Sequence, residues 1–174
     1  MEQLLEALRN INYIFLLAVA LRAATPIVFA ALGGIFSERA GVVNIALEGM
    51  MLTSAYVSFR VAVMAGSPWV GLVGGIIAAV LVAALHAVVS IRYRTNQVVS
   101  GTVINIFAAG VTGYLYRAFP TTASADYLPD LFPASMKNLP VVGSLIFDQG
   151  ILTYAMLIGV FLTGLVLFRT RWGL

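Results

Sequence analysis

The chain has no cysteine. That excludes disulfides, thiolate metal sites and iron–sulfur clusters, and it says nothing about compartment. Charge is also scarce: 10% of the residues are Asp, Glu, Lys or Arg, against about 25% in an ordinary soluble domain. There is a single histidine, His86, with no second His or Cys beside it. A metal centre therefore has no ligand set there, and a hydrogen-bonded packing role is the expectation. The sequence contains no Walker-type glycine loop, no His-Glu-x-x-His and no Gly-x-Ser-x-Gly elbow. Nothing in it supports an enzyme or calls for a cofactor. What fills the chain is apolar: 61% of its 174 residues are hydrophobic. This is the composition of a polytopic membrane protein, with the lipid bilayer as its solvent. The net charge of +3, carried by nine arginines and one lysine, reads as membrane topology and not as nucleic-acid binding.

A transmembrane helix needs about 20 mostly apolar residues. Five stretches come near that: 14–36, 42–65, 69–91, 97–119 and 151–168. The expected fold class is thus all-α, a bundle of about five spans forming one transmembrane domain over 1–174. Glu2 and Glu6 precede Arg9, so the basic start of a secretory signal is missing and the first apolar stretch reads as a retained span. The connection 120–150 holds four prolines (Pro120, Pro129, Pro133, Pro140) with Asp126, Asp130 and Asp148, and it reads as a folded aqueous loop. With alternating spans, Arg39, Arg92, Arg94, Arg169 and Arg171 fall on one side. The positive-inside rule makes that side cytoplasmic and puts the N-terminus and the long loop outside. Small residues recur every four positions at Gly71, Gly75, Ala79, Ala83 and Ala87, and again at Gly101, Asn105, Ala109 and Gly113. Such stripes let helix backbones approach closely in lipid.

The polar residues within these stretches are the functional candidates, because an ionisable group at membrane depth is costly. Asn44 and Glu48 lie four apart, flanked by Gly41 and Gly49. One reading is a break or re-entrant turn within 41–49 beside a translocation path. The other is a loop at 37–41, with Glu48 paired to a buried arginine. Arg22 or Arg60 can supply that counter-charge to Glu48 or Glu38, and Arg60 can also snorkel to an interface. Trp69, Tyr114 and Tyr116 sit near span ends, as interfacial aromatics do.

Four segments carry a family resemblance: Leu21-Arg-Ala-Ala-Thr-Pro26, Ala31-Leu-Gly-Gly34, Ser37-Glu-Arg-Ala-Gly-Val-Val-Asn-Ile-Ala-Leu-Glu-Gly-Met-Met51 and Thr95-Asn-Gln-Val-Val-Ser-Gly-Thr-Val-Ile-Asn105. They resemble the permease subunits of bacterial ABC importers of the branched-chain amino acid/ribose type, and within them the permeases for nucleosides and simple sugars. The resemblance implies a multi-pass subunit of the cell membrane. It also implies three partners: a second permease subunit (a paralogue), a cytoplasmic ABC ATPase and an extracytoplasmic substrate-binding protein. ATP hydrolysis then belongs to the ATPase. Carried onto this sequence, the resemblance puts Asn44, Glu48, Gln97 and Asn105 near the substrate path and makes Glu38 and Arg39 a gate or ion pair. Amides suit ribose hydroxyls and base edges, and Phe107 and Tyr114 are candidates for base stacking. Position 46 is Ala where many relatives carry Gly. The ending Arg169-Thr-Arg-Trp-Gly-Leu174 resembles the approach to the helix that docks on the ATPase, so the chain is expected to be an N-terminal part of a longer permease. Two other classes remain open. One is an ion-coupled secondary transporter using Glu48 or Glu38, although no internal repeat is evident. The other is a non-transporting membrane scaffold.

Overall fold

The computed structural model describes residues 13–137 and 143–170. The expectations placed on Glu2, Glu6, Arg9, Pro140 and Arg171 lie outside those residues. The described residues are helical with no strand: α1 (Tyr13–Arg39), α2 (Leu47–Ala65), α3 (Pro68–Ala87), α4 (Gln97–Ala118), the one-turn α5 (Ala134–Lys137) and α6 (Ile151–Arg169). Two π-turns join them, Val88–Arg92 directly after α3 and Gly143–Phe147 before α6. In lipid every backbone polar group needs an internal partner, and a helix supplies one within its own segment.

Four helical stretches are long and apolar enough to cross a membrane: Tyr13–Arg39, Pro68–Arg92, Gln97–Ala118 and Ile151–Arg169. The chain is thus a multi-pass membrane protein. The expected span over 42–65 differs in two respects. Its helix begins only at Leu47, and Glu48 and Arg60 within its 19 residues make it less apolar than the other four. In α1, Pro26 removes the hydrogen bond to the carbonyl of residue 22. The helix nevertheless continues through Gly33 and Gly34 to Arg39.

The chain divides into two compact units, residues 1–29 with 129–174, and residues 30–128. In the second unit α2 packs on α3 and α4. A Cβ built on Gly71 would lie 2.5 Å from the Ala62 Cβ and 2.7 Å from the Ser58 carbonyl oxygen; one on Gly75 would lie 2.9 Å from the Ser58 Cβ. The stripe on α3 therefore meets a matching stripe of Ser54, Ser58 and Ala62 on α2, which is how helices without a hydrophobic driving force come close. Ala46, Met50 and Ile104 form the buried apolar cluster, joined by Leu47, Val82 and Ala83. In the first unit, Arg22 on α1 pairs with Asp148 at 2.7 Å, and Lys137 bridges Asp130 and Asp148. Phe132 sets its ring edge-on to Phe147 and Tyr154. Thr25 and Thr153 share a buried hydroxyl bond of 3.1 Å.

Candidate functional site

The seven residues 40–46 interrupt what a continuous hydrophobic span would make helical. The local cause is legible. Gly41 has φ +81°, a left-handed conformation that favours glycine. Asn44 then accepts from the Ala46 N–H at 3.1 Å through its own Oδ1, the Asx-turn by which asparagine competes with helix. The break is a stretch of backbone that needs partners from elsewhere.

One face of α4 supplies them. The Gln97 Oε1 accepts from the Val43 N–H at 2.7 Å. One turn on, Gly101 leaves room for the backbone: a Cβ there would lie 2.8 Å from the Ile45 Cβ and 3.0 Å from the Ala46 nitrogen. A further turn on, the Asn105 amide bonds twice, with Oδ1 accepting from the Gly49 N–H at 2.7 Å and Nδ2 donating to the Ile45 carbonyl at 2.9 Å. Ala46, the N-cap of α2, has no side-chain cap. Gly49 is the third helical residue, so Asn105 caps α2 from a neighbouring helix. Gly49 is needed there because a Cβ would sit 3.0 Å from the Asn105 Oδ1 and 3.1 Å from the Ile104 carbonyl. Asn44 completes the arrangement with a 3.7 Å contact from its Nδ2 to the Met50 sulfur. The lower end of the α4 stripe differs: only an Arg117 nitrogen, at 4.0 Å, approaches a Cβ on Gly113.

Asn44, Gln97 and Asn105 thus meet at one place, each engaged with backbone around the break. Glu48 stands in the first turn of α2, exposed, with no hydrogen bond or ion pair among the described residues. Its charge is favoured at that helix end. Glu38 and Arg39 close α1 on the other side of Gly41. The arginines expected as counter-charges have other partners. Arg22 is bound to Asp148 and Gln149. The Arg60 Nη1 donates to the Phe119 carbonyl at 3.2 Å, at the C-terminal end of α4, where a cation complements the helix dipole. Their sequence neighbours gave no hint of this, since Arg22 and Asp148 are 126 positions apart.

A cavity of about 330 Å³ opens between α2, α3 and α4. Thr53, Tyr56, Phe107 and Thr112 line it among aliphatic side chains. It lies at the small end of the range for ligand pockets, about 300–1,000 Å³. Phe107 was a stacking candidate and lines it; Tyr114 does not. Tyr56 was missed, although Thr53, Tyr56 and Val57 share the i, i+3, i+4 spacing of one helix face.

The chain belongs to the family described as the branched-chain amino acid transport system / permease component, whose pattern matches residues 16–174. Two curated relatives carry the family in named systems. The guanosine ABC transporter permease protein NupQ of Bacillus subtilis is 35% identical over 162 residues, covering 87% of this chain and 51% of its own. The nucleoside ABC transporter permease protein NupC of Lactococcus lactis subsp. cremoris is 35% identical over the same length, with the same coverage. The chain spans about half the length of these relatives. No solved structure matches it.

Proposed function

We propose that the chain forms part of the membrane pathway of an ATP-driven ABC importer whose cargo is a nucleoside or a simple sugar. The family match across residues 16–174 carries this reading, and the stapled break beside an aromatic-lined cavity agrees with it. On this reading a separate cytoplasmic ATPase hydrolyses the ATP, a paralogous permease subunit completes the pathway, and an extracytoplasmic binding protein delivers the cargo. The chain lies in the cell membrane with its N-terminus outside, and Arg39, Arg92, Arg94 and Arg169 face the cytoplasm.

The division of labour follows from the bonds. Asn44, Gln97 and Asn105 hold the non-helical segment, and Glu48 is the free polar group beside it. Glu38 and Arg39 sit at the Gly41 hinge and act as the gate, while Arg22 and Arg60 position helix ends. Residues 40–42 bond back to carbonyls of α1 and residues 43–46 are held by side chains, and this segment is the part of the chain that bends most readily. ATP binding on the partner shifts the population between its two arrangements.

Uptake of labelled nucleosides and simple sugars, compared between the source cell and a strain lacking this gene, tests the reading. Loss of uptake that is abolished by ATP depletion but survives collapse of the ion gradients supports it. Uptake that follows the ion gradient favours a secondary transporter. Unchanged uptake of every solute leaves a non-transporting scaffold.

A further inference from the structure

His86, Ser90 and Ser100 form a buried polar cluster where α3 passes into its π-turn and meets the start of α4. Their exposures are 2%, 6% and 9%. The His86 Nδ1 and the Ser100 Oγ are 3.2 Å apart. The His86 Nε2 and the Ser90 Oγ, both buried, have no protein partner among the described residues. We infer that these two atoms hold one buried water molecule.

Three observations lead there. First, the Ser90 hydroxyl leaves unused the partner that four helical threonines take. Thr25, Thr53, Thr102 and Thr112 each donate to the carbonyl four residues back, as hydroxyls in apolar helices commonly do. Ser90 lies within Val88–Arg92, where the Tyr93 N–H reaches back five residues to the Val88 carbonyl, and its hydroxyl makes no such bond. Second, His86 and Ser90 are four residues apart, one turn along the same helix, so their open atoms can share one small molecule. Third, a buried water needs two to four polar partners, and leaving two buried polar groups unmet is costly. A hydroxyl, an imidazole and water can each both donate and accept. The chain Ser100–His86–water–Ser90 is therefore satisfied with the histidine in either tautomer. π-Turns are frequently found at functional positions, and this one ends at Arg92, where Tyr93 and Arg94 begin the connection to α4. Ser100 is the neighbour of Gly101, which packs on the broken segment at Ile45. The direct His86–Ser100 bond thus joins α3 to the turn of α4 that carries the staple, and the water ties the π-turn into that link.

His86 is the only histidine, so a ¹⁵N-histidine label reports this ring alone. The test is water-edited solid-state NMR on the full chain in lipid bilayers, following magnetisation from water protons to the ring nitrogens. We expect Nε2 to build up several-fold faster than the side chains of Ala78 and Met156, which are also buried. Ser90→Ala should slow that build-up several-fold; if it fails to fold, Ser90→Cys keeps the shape with a slightly larger atom and weakens the bond. A build-up at Nε2 as slow as at Ala78 overturns the inference. So does a fast one that neither Ser90 variant alters.

Discussion

Replacing Asn105 by leucine removes both arms of the staple while keeping a side chain of similar size. The Gly49 N–H then loses the only side-chain cap that the described residues supply at that end of α2, because Ala46 contributes none. Loss of a helix N-cap costs about 1 kcal/mol. The Ile45 carbonyl loses its bond as well, and a typical hydrogen bond contributes about 1 kcal/mol. Interhelical bonds measured within membranes average only about 0.6 kcal/mol, since the unfolded chain also finds partners. Two such bonds set a floor near 1 kcal/mol. The Asn105 bonds lie above that floor because one partner is a carbonyl in the break and the other a first-turn N–H, neither of which has an intrahelical partner to fall back on. The expected destabilisation is about 2 kcal/mol, roughly a 30-fold fall in the folded-to-unfolded ratio. Steric-trap or SDS-titrated unfolding in bilayer mimetics reads this directly. Thr102→Val is the control: it removes one exposed bond within α4 and should stay within about 0.5 kcal/mol of the parent. If Asn105→Leu falls within that same margin, Asn105 is not a staple and is free to serve the substrate.

On the proposed reading, Glu48→Gln in the assembled importer should impair uptake with expression intact; normal uptake would remove Glu48 from the proposed pathway. Gly71→Val should destabilise by about 1–3 kcal/mol in the same unfolding assay, because overpacking displaces the Ala62 and Ser58 contacts. Gly110→Ala and Gly164→Ala, whose Cβ positions meet nothing within 4 Å, should instead be neutral or stabilise by up to about 1 kcal/mol through helix propensity. The hydrogen bond to Asp130 raises the pKa of Lys137 above 10.5; burial opposes it, and attraction to Asp130 together with a hydrogen bond and attraction to Asp148 add to it. A cation whose folded pKa is raised contributes stability that is complete below pH 10.5 and fades as pH climbs through the folded value. Unfolding curves of the parent and Lys137→Met should therefore stay a constant distance apart up to that pH and converge above it.

Much of the helical pattern was legible because apolar length alone dictates it. The ends of α4 and α6 fall within a residue of the expected spans. The small-residue stripe on α3 was legible too, since a four-residue repeat of Gly and Ala has few uses other than close packing. The break after Arg39 was legible as one of two readings, because Gly41 and Asn44 both favour non-helical backbone. What could not be read was the partner of each polar side chain. Nothing near Arg22 points to Asp148, and nothing near Asn105 says whether its amide faces a ligand, a helix or a carbonyl. Those answers depend on which helix faces meet, and the chain carries that information only in its packing. The two π-turns were equally hidden, since Val-Val-Ser-Ile-Arg differs little in pattern from the α-helix before it.

The amides whose chemistry suits a sugar or a base are the ones the backbone has already engaged. In water an interrupted helix can hydrogen-bond to solvent, but at membrane depth the break needs its own donors and acceptors. Gln97 and Asn105 supply them on the i and i+8 positions of one face, with Gly101 between to let the backbone approach. A polar residue in an apolar helix is thus no sufficient sign of a ligand, because structure can account for its cost in full. Glu48 differs on that point: a carboxylate, exposed, in the first turn of a helix that begins late, with no protein partner among the described residues. The staple explains why the break persists, and Glu48 is the polar group that the staple leaves over. If the break is the moving part, Asn105→Leu and Glu48→Gln should separate cleanly. The first should lower stability and the second transport alone.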